Sequence, residues 1–238
     1  MTDRLYAVDA YRRECVSAVQ ALTERGVVLD ATVFYPTGGG QPGDTGRLRW
    51  NGGSAEVLNT VADAHGRIIH ILADGMTAPE PGTEVTAEID FERRHRLMRM
   101  HTCLHLLSAV LPYPVTGGQV SDGAGRLDFD LPDSPDKAEV EAELNRLISE
   151  DHPVGERWIT DEELDAQPAL VKTLSVQPPR GTGRIRLLEI PGVDLQPCGG
   201  THVKRTGEIG PVRVRKIEKK GRMNRRVKVE LAPSDDLR

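Results

Sequence analysis

Hydrophobic positions in the first ninety residues occur in short runs that predict β-strands. Apolar runs such as Gly26–Leu29 and Ile68–Leu72 are separated by turn signals at residues 51–53, and a Pro-rich loop at residues 79–82 precedes a strand over Glu84–Ile89. Short strands joined by tight turns are typical of small barrels. Residues 1–90 are therefore predicted to form a glycine-rich β-barrel domain.

From residue 90 onward the apolar period changes from two to 3.6 residues, which predicts a helix that Pro112 ends. Its apolar stripe consists of Leu97, Met100, Leu104, Leu107 and Leu111. His101 and His105 lie at the edge of that stripe. The two histidines are therefore expected where a buried core meets a cleft.

Helices and strands alternate through the rest of the chain. A second helix is predicted to open at Ser134–Pro135, with Pro at its first position, and a third at the capping box of Thr160 and Glu163. The buried face of the second helix is predicted to comprise Val140, Leu144, Leu147 and Ile148. Strands are predicted over residues 184–190, 212–218 and 225–231, the last two joined by a basic hairpin tip. Residues 91–238 are predicted to be an α+β domain, with helices packed on a largely antiparallel sheet.

Four side chains with metal-ligand chemistry occur in two short motifs. His101 and His105 form a HisxxxHis, and Cys198 and His202 form a CysxxxHis almost a hundred residues later. On a helix the first pair lies at i and i+4, so both imidazoles leave one face. Imidazole nitrogen and thiolate sulfur are the ligands that zinc takes in tetrahedral sets. The sequence therefore predicts one zinc ion per chain.

The surroundings of these motifs restrict the chemistry. Thr102 stands where a HisGluxxHis protease carries its general base, which excludes that protease class. Gly199 and Gly200 are expected to let the chain turn sharply between Cys198 and His202. Four protein ligands ordinarily close a zinc site, whereas catalytic zinc keeps one position open. We expect water or substrate to expand the coordination or to displace the Cys198 thiolate.

Composition and charge restrict the class of protein. The 238 residues are 38% hydrophobic and 28% charged, with no apolar run of membrane-spanning length, no signal peptide, and an odd count of three cysteines. This indicates a soluble cytoplasmic protein in which Cys15 and Cys103 are buried thiols. The net charge of −5 is unevenly distributed, because residues 204–228 hold eleven Lys or Arg against two acids. That segment is either a polyanion-binding surface or a solvated strand pair.

A glycine-rich segment, FYPTGGGQPGDTG at residues 34–46, carries a further candidate site. Three consecutive glycines leave backbone N–H groups uncovered and can bind an anion or a carbonyl. Glycine runs also make ordinary barrel turns, and no Walker lysine follows. The segment alone does not decide between these interpretations.

Five motifs together resemble one family. FYPTGGGQPGDTG, HTCLHLL, TGGQVSDGAGRLDF, CGGTH and KGRMNRRV occur in this order across nearly the whole chain. They are similar to the free-standing alanyl-tRNA editing proteins of the AlaX type, in their medium-length form. That family resembles the editing domain of alanyl-tRNA synthetase and, more distantly, that of threonyl-tRNA synthetase. No motif of the synthetase's own ATP-dependent catalytic domain is present.

The resemblance implies a zinc-dependent aminoacyl-tRNA deacylase that acts on alanine tRNA carrying the wrong amino acid, chiefly serine, with glycine as a second candidate. Zinc-bound water held by the four ligands is the expected hydrolytic agent, with polarisation of the ester carbonyl and positioning of the substrate's amino group by zinc as open alternatives. No general base is identified. Asp128 is a candidate, but a structural role is the more expected one for this residue. Substrate binding is expected from Thr37, Gly38, Gly39, Gly40 and Gln41, with Thr37 as the partner of the serine hydroxyl.

The acceptor end of alanine tRNA is the expected partner, with neither DNA nor a membrane involved. Phosphate contacts are predicted for Lys219, Lys220, Arg222, Arg225 and Arg226. A secondary set consists of Arg93, Arg94, Arg96 and Arg99. Two alternatives stay open: a non-catalytic tRNA-binding module in which zinc only connects helix and turn, and a zinc hydrolase of a small ester or amide.

Overall fold

The computed structural model describes residues 2–174 and 183–232, in two compact units, Met1–Arg96 and Leu97–Arg238. The elements of the first unit are β1 (Asp3–Arg4), α1 (Leu5–Val8), β2 (Glu14–Thr23), β3 (Gly26–Leu29), β4 (Ala31–Thr32), β5 (Gly46–Trp50), β6 (Gly53–Ala62), β7 (Ile68–Leu72) and β8 (Glu84–Ile89). Six strands close a barrel in the order β2–β3–β7–β6–β5–β8, while β1 and β4 pair in parallel as a separate ribbon. The predicted N-terminal barrel is confirmed.

The barrel core follows from strand alternation. In β8, Val85, Ala87 and Ile89 are buried and the residues between them are not. These side chains pack with Phe34 and Leu48, both fully buried, in one apolar cluster. In β8 every second side chain thus points to the interior, as a two-residue period requires.

A buried ion pair connects the start of the following helix to the barrel within the first unit. Arg94 and Asp44 are 0% and 1% exposed, and Arg94 Nε lies 2.9 Å from Asp44 Oδ1. The same guanidinium donates to the carbonyl oxygens of Ala10 and Val33. Arg94 was included among the secondary tRNA contacts, and this burial corrects that prediction, because a buried guanidinium with four acceptors cannot reach a phosphate.

The later elements are α2 (Phe91–Val110), β9 (Val115–Ser121), β10 (Ala124–Asp130), α3 (Lys137–Ser149), β11 (Gly155–Ile159), α4 (Asp161–Asp165), β12 (Ile185–Ile190), β13 (Asp194–Pro197), β14 (Val212–Lys219) and β15 (Asn224–Leu231), with 3-10 turns at Pro168–Leu170 and Thr206–Ile209. Two antiparallel sheets form, ordered β14–β15–β10–β9 and β11–β12–β13. The α+β prediction is confirmed, with two sheets in place of one. Among the described residues, no helix combines the length and the apolar character needed to cross a membrane.

Helix α2 packs closely on the four-stranded sheet at a glycine. A Cβ atom at Gly125 in β10 would lie 2.8 Å from Met100 Sδ and 3.2 Å from Leu104 Cδ1. Both α2 side chains are buried and belong to the predicted apolar stripe. The missing side chain at Gly125 therefore allows the helix to approach the sheet.

The second predicted helix begins later than its proline suggested. Asp136 is the N-cap of α3, and its carboxylate accepts the N–H groups of Ala138 and Glu139 at 2.8 and 3.0 Å. An aspartate that satisfies two free amides fixes the first turn more strongly than a proline at residue 135. The start at Ser134–Pro135 is corrected to Lys137, while the predicted buried face of this helix is confirmed.

We expect Asp44→Asn to destabilise the first unit by about 3–5 kcal/mol, because it leaves the Arg94 charge buried and unpaired. The free energy of unfolding in urea, followed by circular dichroism, measures this. Asp63→Asn is the matched control, since Asp63 pairs with Arg67, whose side chain is half exposed, and we expect little change there. Equal effects of the two substitutions would contradict the structural role of the Arg94–Asp44 pair.

Candidate metal centre

Two separate segments of the second unit bring four ligand side chains together. Helix α2 carries His101 and His105 one turn apart, while Cys198 directly follows β13 and His202 comes four residues later. One ligand atom from each residue lies within 4.8 Å of all the others. The two motifs that were far apart in sequence therefore form one cluster that could hold a metal ion.

The spacing of the cluster fits a tetrahedral ion with nitrogen and sulfur ligands. Cys198 Sγ lies 3.6 Å from His101 Nε2 and 3.2 Å from His202 Nε2. Bond lengths of about 2.3 Å to sulfur and 2.0–2.1 Å to nitrogen would place such atoms about 3.6 Å apart around tetrahedral zinc. These two sulfur–nitrogen separations are near that value, and the four ligand atoms together lie within 4.8 Å of one another.

A carboxylate fixes the orientation of His105. Asp194 Oδ2 lies 2.9 Å from His105 Nδ1, which leaves the Nε2 atom of this imidazole for a metal ion. Asp194 also accepts from Lys172 Nζ at 2.6 Å and from Gln196 Nε2 at 2.7 Å. Gln196 in turn donates to Ser108 Oγ at 2.9 Å, one helical turn beyond His105. Three donors therefore surround one buried carboxylate behind the candidate ligand.

Thr102 has the corresponding position behind His202. Its hydroxyl donates to the Met98 carbonyl oxygen at 2.9 Å and lies 3.3 Å from His202 Nδ1. An acceptor at Nδ1 holds the proton there and leaves Nε2 unprotonated. The residue that excluded protease chemistry in the sequence thus supports a ligand in the structure.

The electrostatics of the cluster favour forms that bind metals. Burial opposes ionisation of the Cys198 thiol, but the three surrounding imidazoles hold its pKa well below the usual value. Burial lowers the pKa of His202 to about 3. Burial also disfavours the charged form of His105, yet the Cys198 thiolate and the Asp194 hydrogen bond raise its pKa to about 9. A thiolate and a neutral imidazole are ready to coordinate, and metal binding would release the proton of His105.

The turn between Cys198 and His202 is held by hydrogen bonds and not by unusual glycine conformations. Arg186 donates to the carbonyl oxygens of Cys198 and Gly200 at 3.0 and 2.8 Å. Neither Gly199 nor Gly200 has a positive φ, so the expected conformational role of these glycines is corrected. Gly199 is exposed, and a Cβ atom there would meet no atom within 4 Å, so close packing does not require a glycine at this position.

Sequence reasoning missed the residues behind the ligands: Ser108, Lys172, Arg186, Asp194 and Gln196. Two of them carried a signal. Asp194 and Gln196 precede Cys198 at intervals of two residues, which places them on the same face of β13 as the start of the turn. Lys172 and Ser108 carried no such signal, because their contacts depend on how distant segments pack.

The glycine loop of the first unit is closed by its own backbone. Gly38 and Gln41 exchange N–H···O bonds of 3.0 and 2.9 Å, and Gly39 and Gly40 have φ values of +56° and +81°. Thr37 Oγ1 accepts the N–H of Gly43 at 2.9 Å. Gln41 is buried, whereas Thr37, Gly39 and Gly40 are exposed. The loop is therefore preorganised, with Thr37 and two glycines at its surface.

The basic hairpin contains exposed cations and also a cation that is buried and hydrogen-bonded within the protein. Lys219, Lys220 and Arg222 are exposed. Arg225 is only 4% exposed, and its guanidinium donates to the carbonyl oxygens of Pro132, Gly221 and Asn224. This corrects the prediction for Arg225, which stabilises the hairpin and does not face a phosphate.

Asp128, the candidate general base, binds two arginines. Its oxygens accept from Arg226 Nε and Nη2, both at 2.8 Å, and from Arg126 Nη1 at 2.7 Å. Partial burial alone would raise the pKa of Asp128, but these hydrogen bonds lower it. A paired carboxylate with a low pKa is a poor proton acceptor, which supports the structural role of Asp128.

Two family models match this chain. Residues 185–228, which include Cys198 and His202, match the model described as threonyl and alanyl tRNA synthetase second additional domain. Residues 4–93 match the model described as tRNA synthetases class II (A). The matches lie on the two sides of the unit boundary at Arg96 and Leu97.

Curated relatives match nearly the full length. The alanyl-tRNA editing protein AlaX-M of Methanosarcina acetivorans is 38% identical over 239 residues, covering 95% of this chain and 98% of the relative. The AlaX-M protein of Saccharolobus solfataricus is 35% identical, covering 98% and 100%. An alanine–tRNA ligase of Pyrobaculum neutrophilum is 38% identical over 92% of this chain but over only 25% of the ligase.

We expect Asp194→Asn to weaken divalent-metal affinity by about 10–100-fold, because an amide would turn a donor toward Lys172 or His105. Competition with a chromogenic chelator measures the affinity, and the visible spectrum of the Co²⁺ form reports the ligand geometry. Asp133→Asn, at an exposed position, makes the same change elsewhere and should leave both unaltered. If the affinity for Co²⁺ stayed constant in Asp194→Asn, Asp194 would not position His105.

Proposed function

This chain belongs to the family of alanyl-tRNA editing proteins of the AlaX type, and from this membership we propose that it hydrolyses the ester of mischarged alanine tRNA in trans. The proposed substrate is Ser-tRNA(Ala), with Gly-tRNA(Ala) as a second candidate. The observation that carries the proposal is the convergence of His101, His105, Cys198 and His202 within 4.8 Å. Hydrolysis of an ester is accelerated when its carbonyl is polarised or the attacking water is activated, and this cluster could hold a metal ion that supplies either effect.

We propose zinc as the metal, because two- or three-imidazole sets with thiolate are typical of this ion. When bound, zinc acts as a Lewis acid that polarises a carbonyl and lowers the pKa of water. The three histidines are 6–7% exposed, whereas Cys198 is partly exposed. Cys198 is therefore the most exposed of the four ligands. This supports the expectation that water or substrate expands the coordination or displaces the Cys198 thiolate.

Incubation with Ser-tRNA(Ala) and Ala-tRNA(Ala), with and without a zinc chelator, tests this function. We expect rapid release of serine, little release of alanine, and at least about a 100-fold loss with chelator that added Zn²⁺ restores. Cys198→Ala should lower bound zinc and serine release together. Cys15→Ala removes a buried thiol outside the cluster and is the matched control.

The same assay separates the two alternatives. A non-catalytic module would bind tRNA without releasing serine and would unfold on chelation. A hydrolase of small esters or amides would cleave an activated acetate ester but would leave Ser-tRNA(Ala) intact. Either result would exclude the proposed deacylase.

Thr37 is proposed to recognise the serine hydroxyl. Its own hydroxyl accepts the N–H of Gly43 and can donate to the Thr60 carbonyl oxygen at 3.2 Å or to Asn59 Oδ1 at 3.4 Å. A hydroxyl has one donor and two acceptor sites, so one lone pair is left for a ligand. A serine hydroxyl can donate to that lone pair, whereas the alanine methyl group cannot. This supports discrimination against alanine by a missing hydrogen bond.

We expect Thr37→Val to reduce hydrolysis of Ser-tRNA(Ala) by roughly 100-fold while zinc content stays unchanged. Thr37→Ser keeps the hydroxyl and should retain most of the activity. Thermal unfolding of both variants is the control, because valine also removes the acceptor of the Gly43 N–H. Unchanged rates on both charged tRNAs in Thr37→Val would refute this role of Thr37.

The proposed partner is the acceptor end of alanine tRNA. Lys219, Lys220 and Arg222 are the hairpin side chains that stay exposed to contact phosphates. The three free cysteines agree with a reducing compartment, and we propose that the protein acts in the cytoplasm.

A further inference from the structure

The four-stranded sheet of the second unit has two faces of opposite character. Its inner positions, such as Leu127 in β10 and Val227 and Val229 in β15, are buried, and Gly125 on this side contacts α2. The alternate positions of the same strands point to the outer face. They carry mainly long charged side chains, including several that no sequence motif identified.

One row of outer positions crosses all four strands without an acid. Lys216 in β14 lies opposite Lys228 in β15, Lys228 lies opposite Arg126 in β10, and Arg126 lies opposite Gln119 in β9. Neighbouring strands are about 4.8 Å apart, so three positive charges span roughly 10 Å along a straight line. Like charges in register disfavour the sheet unless something compensates them.

Two carboxylates in the adjacent row of outer positions, Glu218 and Asp128, compensate this repulsion. Glu218 pairs with Lys216, Lys220 and Lys228 at 3.1–3.3 Å, while Asp128 pairs with Arg126 and Arg226. The side chains of Glu218 and Asp128 are 15% and 12% exposed, whereas those of Lys216 and Lys228 are 67% and 42% exposed. The acids are thus recessed, Lys216 and Lys228 project beyond them, and Arg126, with a side chain 27% exposed, lies between these extremes.

The face as a whole stays positive. Arg215, whose side chain is 66% exposed, pairs with Glu230 at 3.2 Å on the same strands. Its seven cations, Arg126, Arg213, Arg215, Lys216, Lys220, Arg226 and Lys228, outnumber the four carboxylates Asp128, Asp130, Glu218 and Glu230. In a chain with a net charge of −5, such a surface is a local exception that attracts a polyanion.

We propose that this outer face binds the sugar-phosphate backbone of the tRNA substrate, with Arg126, Lys216 and Lys228 as phosphate contacts that extend the hairpin surface across the sheet. The inference rests on the proposed function for the identity of the polyanion. The recessed carboxylates hold the cations in an extended arrangement before the RNA arrives. Contacts of this kind recognise charge and shape without reading bases.

A protein partner that adds a strand is disfavoured at the β14 edge of this sheet. Glu141 in α3 accepts the N–H of Val214 at 2.7 Å, and Asn145 bonds both the N–H and the carbonyl oxygen of Val212. Helix α3 therefore occupies the edge groups of Val212 and Val214, at the beginning of β14, where an extended peptide would have to start pairing. The feature that this sheet presents to solvent is the row of cations on its outer face.

Binding of uncharged tRNA(Ala), measured by fluorescence anisotropy at several salt concentrations, tests the proposal. We expect Arg126→Gln with Lys228→Gln to weaken binding about tenfold near 0.1 M salt and to reduce the salt slope by about 1.4–1.8, which corresponds to two lost phosphate contacts. The matched control combines Arg157→Gln and Lys137→Gln, exposed residues of β11 and α3 that change the net charge equally. It should leave the slope near that of the unaltered protein.

A charge-conserving pair, Arg126→Lys with Lys228→Arg, completes the design and should keep the salt slope. Equal losses in the Gln pair and the control pair would overturn the proposal, and so would a slope lost in the charge-conserving pair. Uncharged tRNA carries no ester, so this result does not depend on hydrolysis. Failure of serine release by the unaltered protein would instead contradict the proposed function.

Discussion

The placement of helix α2 against the turn after β13 is the constraint on which the second unit depends. It brings three imidazoles and one thiolate within 4.8 Å, in surroundings where each histidine is 6–7% exposed. Such a group of polar atoms is costly to bury unless partners or a metal ion satisfy it. Asp194 and Thr102 supply partners on the outer side of His105 and His202. The ligand atoms are thereby left to face one another.

Both units use one buried charged network to fix a helix. In the first unit, Arg94 and Asp44 join the beginning of α2 to the glycine-rich segment and to the carbonyl oxygen of Val33 just before it. In the second, Lys172, Asp194 and His105 join β13 to the later part of the same helix. Buried pairs of this type contribute geometric definition more than net stability, because desolvation offsets much of their attraction. A site whose ligands must hold fixed positions requires this geometric definition.

The charged side chains of the second unit fall into two groups, those paired within the protein and those that stay exposed. Arg225 is buried and donates to backbone carbonyl oxygens, and Arg226 is held by Asp128, although both stand in the most basic segment of the chain. Lys216 and Lys228 instead project above a recessed Glu218. A basic segment in sequence is therefore only an upper bound on the cations that a polyanion can contact. Register across the strands decides which of them remain available.

The sequence by itself determined three of the six barrel strands (β3, β7 and β8), the apolar stripe of α2, the buried face of α3 and the four candidate ligands, because each depends on local periodicity or on a short motif. It misplaced the start of α3 and could not foresee Lys172 or Ser108 behind the ligands. Nor could it separate Arg225 from Lys220, since burial of a side chain depends on what distant strands bring beside it. Only the tertiary structure decided those contacts, because long-range packing and strand register are not encoded in the spacing of neighbouring residues.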